Sequence, residues 1–202
     1  MGGSITESDG WRNKVCQYLK EKFPETAFEF VNAGIASTGS TPGAFRLSSE
    51  VLSKGKIDLL FEEAAVNDRT NGFDSLAQIR GMEGIVRQAK RSNPQMDIVL
   101  MHFVDPEKLI DYQHGVIPSE IQNHERVAEH YQVNSIHLAK EVYERIKNKE
   151  FTWADDFKDL HPSLFGQEVY FQSIKTFLNN AFNPVQKNDV TTAHTLPNIL
   201  ND

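Results

Sequence analysis

Cysteine is almost absent from this chain of 202 residues, which contains Cys16 alone. A single cysteine excludes an internal disulfide and any cysteine-rich zinc site. The sequence also lacks an apolar run of the roughly 20 residues that a membrane span requires, and it lacks the apolar core of a signal peptide. Basic residues are outnumbered, 21 against 28 acidic residues, which gives a formal charge of −7 at pH 7. With no basic stripe interleaved with aromatic residues, these features argue against a nucleic-acid or membrane partner.

The composition is otherwise that of an ordinary globular domain, with 39% hydrophobic and 24% charged residues. Apolar stretches of strand length alternate with amphipathic stretches of helix length, and this alternation predicts a parallel sheet with helices on both faces. The predicted strands are residues 28–31, 57–61, 97–103 and 133–138. The predicted helices are residues 11–23, 45–51, 75–91, 118–131, 139–147 and 164–180. We therefore expect the α/β fold class, as a three-layer α/β/α sandwich on a flavodoxin-like parallel sheet.

Four short segments carry residues suited to ester hydrolysis, and they follow one another along the chain. Residues 2–6, GGSIT, form a glycine turn that exposes the hydroxyl of Ser4, as a nucleophile requires. Gly34 and Asn67 come after the first two apolar runs, where an open α/β sheet forms its ligand sites. His161, in the segment DLHP, is suited to act as a general base.

Together these segments resemble the blocks of the SGNH hydrolases, also called the GDSL esterase/lipase family. GGSIT stands at the GDS block, Gly34 at the glycine block, Asn67 in the G-x-N-D block, and DLHP at the D-x-x-H block. The resemblance covers about residues 2–180. Two departures are visible: Ala65 replaces the glycine of the third block, and Lys158 stands three residues before His161, where the family has its aspartate. The resemblance implies a serine esterase, acting on small or carbohydrate-borne acyl esters, with no cofactor or metal.

The resemblance also implies a role for each block. Ser4 would attack the ester carbonyl, and His161 would take its proton and return it to the leaving alcohol. The N–H of Ser4, the N–H of Gly34 and the side-chain amide of Asn67 would form the oxyanion hole.

The group that orients His161 is less clear from the sequence. Asp159 lies two residues before the histidine, and we predict that this carboxylate completes a catalytic triad. Asp156, five residues before, is the first alternative. A dyad, in which a backbone carbonyl orients the imidazole, is the second.

The start of the chain leaves no room for the strand that should precede the nucleophile, since only three residues come before Ser4. Without that central strand, the strands predicted at 28–31 and 57–61 would have facing edges with unpaired backbone groups. We expect a fragment that begins one strand late, with a hydrolase-like domain over residues 1–182. Residues 183–202 contain two prolines and little apolar pattern, which is typical of a linker or tail.

Two other functions compete with the esterase. A non-catalytic carbohydrate- or ligand-binding domain would keep the fold and tolerate the departures noted above. A flavodoxin-like nucleotide-binding module would use the amides of residues 34–43, but this loop has no lysine for a phosphate. A zinc-protease interpretation of His124 and His130 fails, because they are six residues apart and that motif needs a spacing of four. The family resemblance implies a secreted or periplasmic protein and leaves the oligomeric state open.

Overall fold

The computed structural model describes residues 1–182 and 196–200. In this part of the chain a three-stranded parallel sheet forms the centre, with β1 at Leu59–Glu62, β2 at Asp97–Met101 and β3 at Asn134–Ile136. The strands lie side by side in the order β1-β2-β3. Parallel strands with helical crossovers confirm the predicted α/β class.

Helices connect and cover these strands. They are α1 at Ser4–Glu7, α2 at Trp11–Lys22, α3 at Ser40–Glu50, α4 at Ala65–Thr70, α5 at Ser75–Ser92, α6 at Pro106–Gln113, α7 at Ser119–Tyr131, α8 at Leu138–Lys147 and α9 at Leu164–Ala181. A 3₁₀ turn occupies Leu52–Lys54 and a π-helical turn occupies Trp153–Phe157. None of the described helices is both long and apolar enough to cross a membrane.

Two apolar cores lie on opposite faces of the sheet and give it three layers. Ile98 and Leu100 of β2 pack with Leu47 of α3 and Ile85 of α5. Met101, one residue further along the strand, belongs to the other core, which α2 and α9 help to form. This division follows from the alternation of side chains along a strand, and β2 is apolar on both faces because helices cover both.

The first two residues occupy the position of a strand next to β1. Glu63 N–H donates to the Met1 carbonyl at 3.2 Å, and Ile35 N–H donates to the Gly2 carbonyl at 3.0 Å. Gly2 also forms an isolated parallel bridge with Gly34. Residues 1–2 therefore lie between β1 and the loop at residue 34, where the flavodoxin-like order 2-1-3-4-5 places its first strand.

The strand predicted at residues 28–31 is not formed, which corrects that prediction. Residues 28–31 pair with no other strand among the described residues. The isolated bridge that this segment makes is at Gly34, beyond them. Phe30 and Val31 are each 40% exposed. A strand needs a neighbour for its N–H and C=O groups, and here a β-prone sequence without one stays irregular.

The segment 196–200 lies against α5. Leu196 and Leu200 pack on the core that contains Leu47, and Leu200 N–H donates to Glu83 Oε1 at 2.7 Å. Arg87 donates to the Pro197 carbonyl at 2.8 Å. Residues 183–195 and 201–202 lie outside the described residues, so the domain division at 182 and the predicted linker or tail remain predictions.

Candidate active site

Ser4 and His161 are brought together from opposite ends of the chain. Ser4 Oγ and His161 Nε2 are 2.7 Å apart, a hydrogen-bond distance across 157 positions of sequence. Ser4 is the first residue of α1, whose turn is closed by bonds from Thr6 N–H and Glu7 N–H to the Gly3 carbonyl. The buried side chains of Ile5 and Thr6 anchor this turn and leave the Ser4 hydroxyl on the open side. The pair thus has the geometry of a nucleophile with its base.

The loop that carries His161 is held at both ends. It begins after the π-helical turn at Lys158, which has a positive φ of 79°, and it ends at Ser163. Ser163 N–H donates to the Phe157 carbonyl at 3.0 Å, and the Ser163 side chain accepts from Gly166 N–H as the N-cap of α9. Because buried Phe157 and the cap fix the loop ends, His161 is presented to Ser4 by a short, constrained segment.

Asp159 supports the backbone of His161 more directly than its ring. Its Oδ1 accepts the His161 N–H at 2.9 Å and lies 3.8 Å from His161 Nδ1, beyond hydrogen-bond distance. The side chains of Asp159 and His161 are 65% and 58% exposed. The alternative acid, Asp156, is engaged elsewhere, since its Oδ2 accepts from Thr152 N–H at 2.7 Å. Of the two carboxylates, Asp159 is therefore the one placed beside the imidazole.

Gly34 packs directly against the backbone of α1. A Cβ at this position would lie 2.2 Å from the Glu7 nitrogen, so only glycine permits the contact. Gly34 N–H donates to Asn32 Oδ1 at 3.0 Å, and Asn32 Nδ2 donates to the Glu7 carbonyl at 3.1 Å. Gly34, a predicted oxyanion donor, thus lies beside α1, but its N–H already has an acceptor in the Asn32 side chain.

Asn67 lies next to the turn that carries Ser4. It is 9% exposed, and a Cβ built on Gly3 would fall 2.0 Å from its Oδ1. This contact places the amide of Asn67 against the residue that precedes Ser4. The Ser4 N–H, in the first turn of α1, makes no hydrogen bond among the described residues.

Asp68, the neighbour of Asn67, has a structural role. It is fully buried; its Oδ1 accepts from Ser40 N–H at 2.7 Å, and its Oδ2 lies 2.8 Å from His124 Nε2. These bonds join α4 to the start of α3 and to α7. They hold the Asn67 helix against the loop that follows Gly34.

The side chains of Arg46 and Glu7 hold the turn that carries Ser4. Arg46 Nη2 donates to the Gly2 carbonyl at 3.1 Å while its Nη1 pairs with Glu50 at 2.6 Å. Glu7 Oε2 accepts from Ala36 N–H at 3.0 Å. These contacts join polar residues that are far apart in the chain, and neither a periodic pattern nor a motif in a single sequence predicts them.

The end of β1 introduces two buried carboxyl groups, Glu62 and Glu63, each 1% exposed. Burial raises the pKa of Glu62 to about 7 and the pKa of Glu63 to about 8. A bond from Val66 N–H to Glu63 Oε1, at 3.1 Å, opposes the rise at Glu63 but does not cancel it. At neutral pH Glu63 therefore keeps a proton that an exposed glutamate would release.

Residues 1–169 match the family model described as GDSL-like Lipase/Acylhydrolase. Among solved structures, a two-domain esterase active on acetylated mannans is similar, with 26% identity and a TM-score of 0.76. The alignment covers 100% of this chain and 52% of that one, so the chain spans about half the length of this relative. A search of curated proteins returns no significant match.

Two further solved structures share the fold at lower identity. An acetylxylan esterase from Geobacillus stearothermophilus is 18% identical over 87% of this chain and 90% of its own, with a TM-score of 0.66. An alpha/beta hydrolase enzyme from the metagenome of Lake Arreo is 18% identical over 87% and 91%, with a TM-score of 0.72.

Proposed function

Because the chain belongs to the GDSL-like lipase/acylhydrolase family, we propose that it is a serine esterase for small or carbohydrate-borne acyl esters. The observation that carries this proposal is the 2.7 Å contact between Ser4 Oγ and His161 Nε2. A serine hydroxyl is a weak nucleophile until a base in hydrogen-bond contact removes its proton, and this pair meets that requirement.

The reaction then follows the steps of a serine hydrolase. His161 Nε2 takes the Ser4 proton as Oγ attacks the acyl carbon, and the protonated imidazole gives that proton to the leaving alcohol. The acyl group is left on Ser4 as an ester. Water, deprotonated by the same nitrogen, attacks this ester and releases the acid, so that Ser4 and His161 regain their starting protonation.

The oxyanion would be held by the N–H of Ser4, the N–H of Gly34 and the amide of Asn67. The free N–H of Ser4 and the contact of Asn67 with Gly3 support this assignment. Gly34 N–H donates to Asn32 Oδ1 in the structure, so in this role it would share that hydrogen bond with the oxyanion or redirect it to the oxyanion. One well-placed donor is worth about 3 kcal/mol in such a transition state, so two are sufficient for a large acceleration.

Asp159 is proposed to orient His161 and to stabilise its positive charge. Its bond to the His161 backbone N–H supports the first role, and its 3.8 Å separation from Nδ1 supports the second as a charge effect through solvent. In this arrangement the carboxylate assists a Ser4–His161 pair without a direct bond to the ring.

The proposed substrate class is an acetylated polysaccharide or oligosaccharide. The similar esterase is active on acetylated mannans, and this chain aligns with it over its full length at 26% identity. The half-exposed ring of His161 also supports access by a bulky sugar chain that carries a small acyl group. The rival, a non-catalytic sugar-binding domain, would bind sugar at the same surface without the attack by Ser4.

Labelling by an organophosphonate ester, together with hydrolysis of p-nitrophenyl acetate and acetylated mannan, tests the proposal. We expect covalent labelling at Ser4, and loss of labelling and hydrolysis in Ser4→Ala. Ser8→Ala is the matched control, since Ser8 is exposed and ends the same short helix. Labelling of a folded Ser4→Ala protein would discard the nucleophile, and mannan binding without hydrolysis or labelling would favour the binding domain.

A further inference from the structure

Two histidines meet at the edge of the sheet where β2 and β3 end. His102 directly follows β2, and His137 directly follows β3. The strands are parallel and adjacent, so their carboxyl ends meet at one edge, and a bond from His102 N–H to the Ile136 carbonyl at 3.1 Å keeps them in register. Their ring centroids are 5.4 Å apart. The fold, and not sequence proximity, creates this pair.

Glu125 of α7 lies between the two imidazoles and contacts each with a different oxygen. Its Oε1 is 2.6 Å from His102 Nε2, and its Oε2 is 3.5 Å from His137 Nε2. Ser135 Oγ donates to Oε2 at 3.0 Å and orients the carboxylate. One ligand atom from each of the three side chains lies within 4.8 Å of the others.

From this arrangement we propose that His102, Glu125 and His137 form a binding site for a divalent transition metal of the zinc type. Two imidazoles and one carboxylate are a donor set that zinc accepts, with a fourth position left for water. Ligand atoms around tetrahedral zinc, with bonds of about 2.0–2.1 Å, are about 3.3 Å apart. The 2.6 and 3.5 Å contacts are made by different oxygens of Glu125, so binding requires rotation of this partly exposed carboxylate to bring one oxygen to that spacing from both imidazoles.

Access and affinity follow from the burial of the three side chains. His102 is fully buried, while Glu125 is 31% and His137 47% exposed, so an ion reaches the site from the side of His137. A ligating imidazole usually donates its other N–H to an acceptor, but His102 Nδ1 is buried with no partner among the described residues. We expect affinity about 10–100-fold lower than that of a site with both rings so supported.

The site is independent of the proposed esterase reaction, which uses none of its three residues. The alternative is that His102 and Glu125 form only a hydrogen bond and that His137, which lies beside them, is not a metal ligand. The two differ in what His137 does: a ligand contributes to metal affinity, whereas a bystander does not.

Calorimetric titration of the metal-stripped chain with Zn²⁺, repeated with Co²⁺ as an absorption probe, distinguishes them. We expect one Zn²⁺ per chain, and at least a tenfold loss of affinity in His137→Ala and in Glu125→Gln. His137 is exposed, so its replacement leaves the core intact, and circular dichroism checks that each variant is folded. His114→Ala, which removes another exposed histidine, and His161→Ala, which removes the proposed base, should bind Zn²⁺ as the wild type does. Unchanged Zn²⁺ affinity in either folded His137→Ala or folded Glu125→Gln, or no binding of Zn²⁺ by the wild type, would overturn the proposal.

Discussion

Replacing Asp159 by asparagine removes one negative charge and leaves an oxygen that can still accept the His161 backbone N–H. In the structure this oxygen is 2.9 Å from that nitrogen, and the carboxylate is 3.8 Å from His161 Nδ1 without a hydrogen bond to it. The substitution therefore tests the charge of Asp159 separately from the hydrogen bond by which Asp159 supports the loop.

The magnitude follows from the distance and the exposure of the two groups. Both side chains are more than half exposed, so the dielectric constant of water is the appropriate one. A unit charge 3.8 Å from the imidazolium then stabilises it by about 1.1 kcal/mol, which corresponds to about a sixfold change in rate. A triad with a direct carboxylate–imidazole bond loses about 10⁴ in kcat on the same change.

The assay is kcat for p-nitrophenyl acetate in Asp159→Asn, Asp159→Ala and the matched control Asp156→Asn. We expect about a sixfold loss in Asp159→Asn, a larger loss in Asp159→Ala because the loop bond is also broken, and little change in the control. High salt should reduce the difference between the wild type and Asp159→Asn, since the charge is exposed. A loss of about 10³ or more in Asp159→Asn would refute the reasoning and indicate that the carboxylate bonds to Nδ1 during the reaction.

Three other substitutions test two residues beside Ser4 and one buried carboxyl group after β1. Asn67→Ala should lower kcat by about 10²–10³ with little change in KM, and steady-state kinetics that showed the reverse would make Asn67 a ground-state contact. Gly3→Ala should also lower kcat, because its Cβ would fall 2.0 Å from the Asn67 amide, whereas Gly84→Ala on α5 should keep wild-type activity. Burial raises the pKa of Glu63 from 4.5 to about 8, so the folded state keeps a proton that the unfolded chain releases. The contribution of this proton to the free energy of unfolding is complete below about pH 4.5. It is lost as the pH rises toward 8, at up to roughly 1.4 kcal/mol per pH unit. Urea unfolding at several pH values should show that the free energy of unfolding falls less steeply with pH in Glu63→Gln than in the wild type. Equal slopes in the two proteins would count against the buried proton.

Much of the architecture was predictable because it depends on local patterns. The helices that begin at Ser75 and Leu164 agree with the predicted ranges, and their side-chain caps, Asp74 and Ser163, are residue types that favour the N-cap position. The strand ending at Met101 is apolar on every buried position, which is typical of a parallel strand covered on both faces. In contrast, α4 and α6 were not predicted, since they have only 6 and 8 residues and follow a strand after a short connection.

The residues of the proposed active site were selected from the sequence as a set of ordered blocks. Ser4, Asn67 and His161 were selected because their chemical types and order match a family of esterases. The hydrogen bond of Gly34 was not predicted, because nothing in a single sequence indicates that Asn32 accepts its N–H. The offset of Asp159 likewise left three arrangements open, and a backbone bond with a 3.8 Å separation from the ring was not among them.

The sequence by itself determined the alternation of strands and helices, the caps, and the residue types available for catalysis, since all of these depend on neighbours in the chain. Tertiary structure alone decided that residues 28–31 are not a strand, because strand formation requires a partner and not only β-prone residues. It alone brought Ser4 within 2.7 Å of His161, and Glu125 between His102 and His137. These distances depend on how distant segments pack, and no local pattern encodes them.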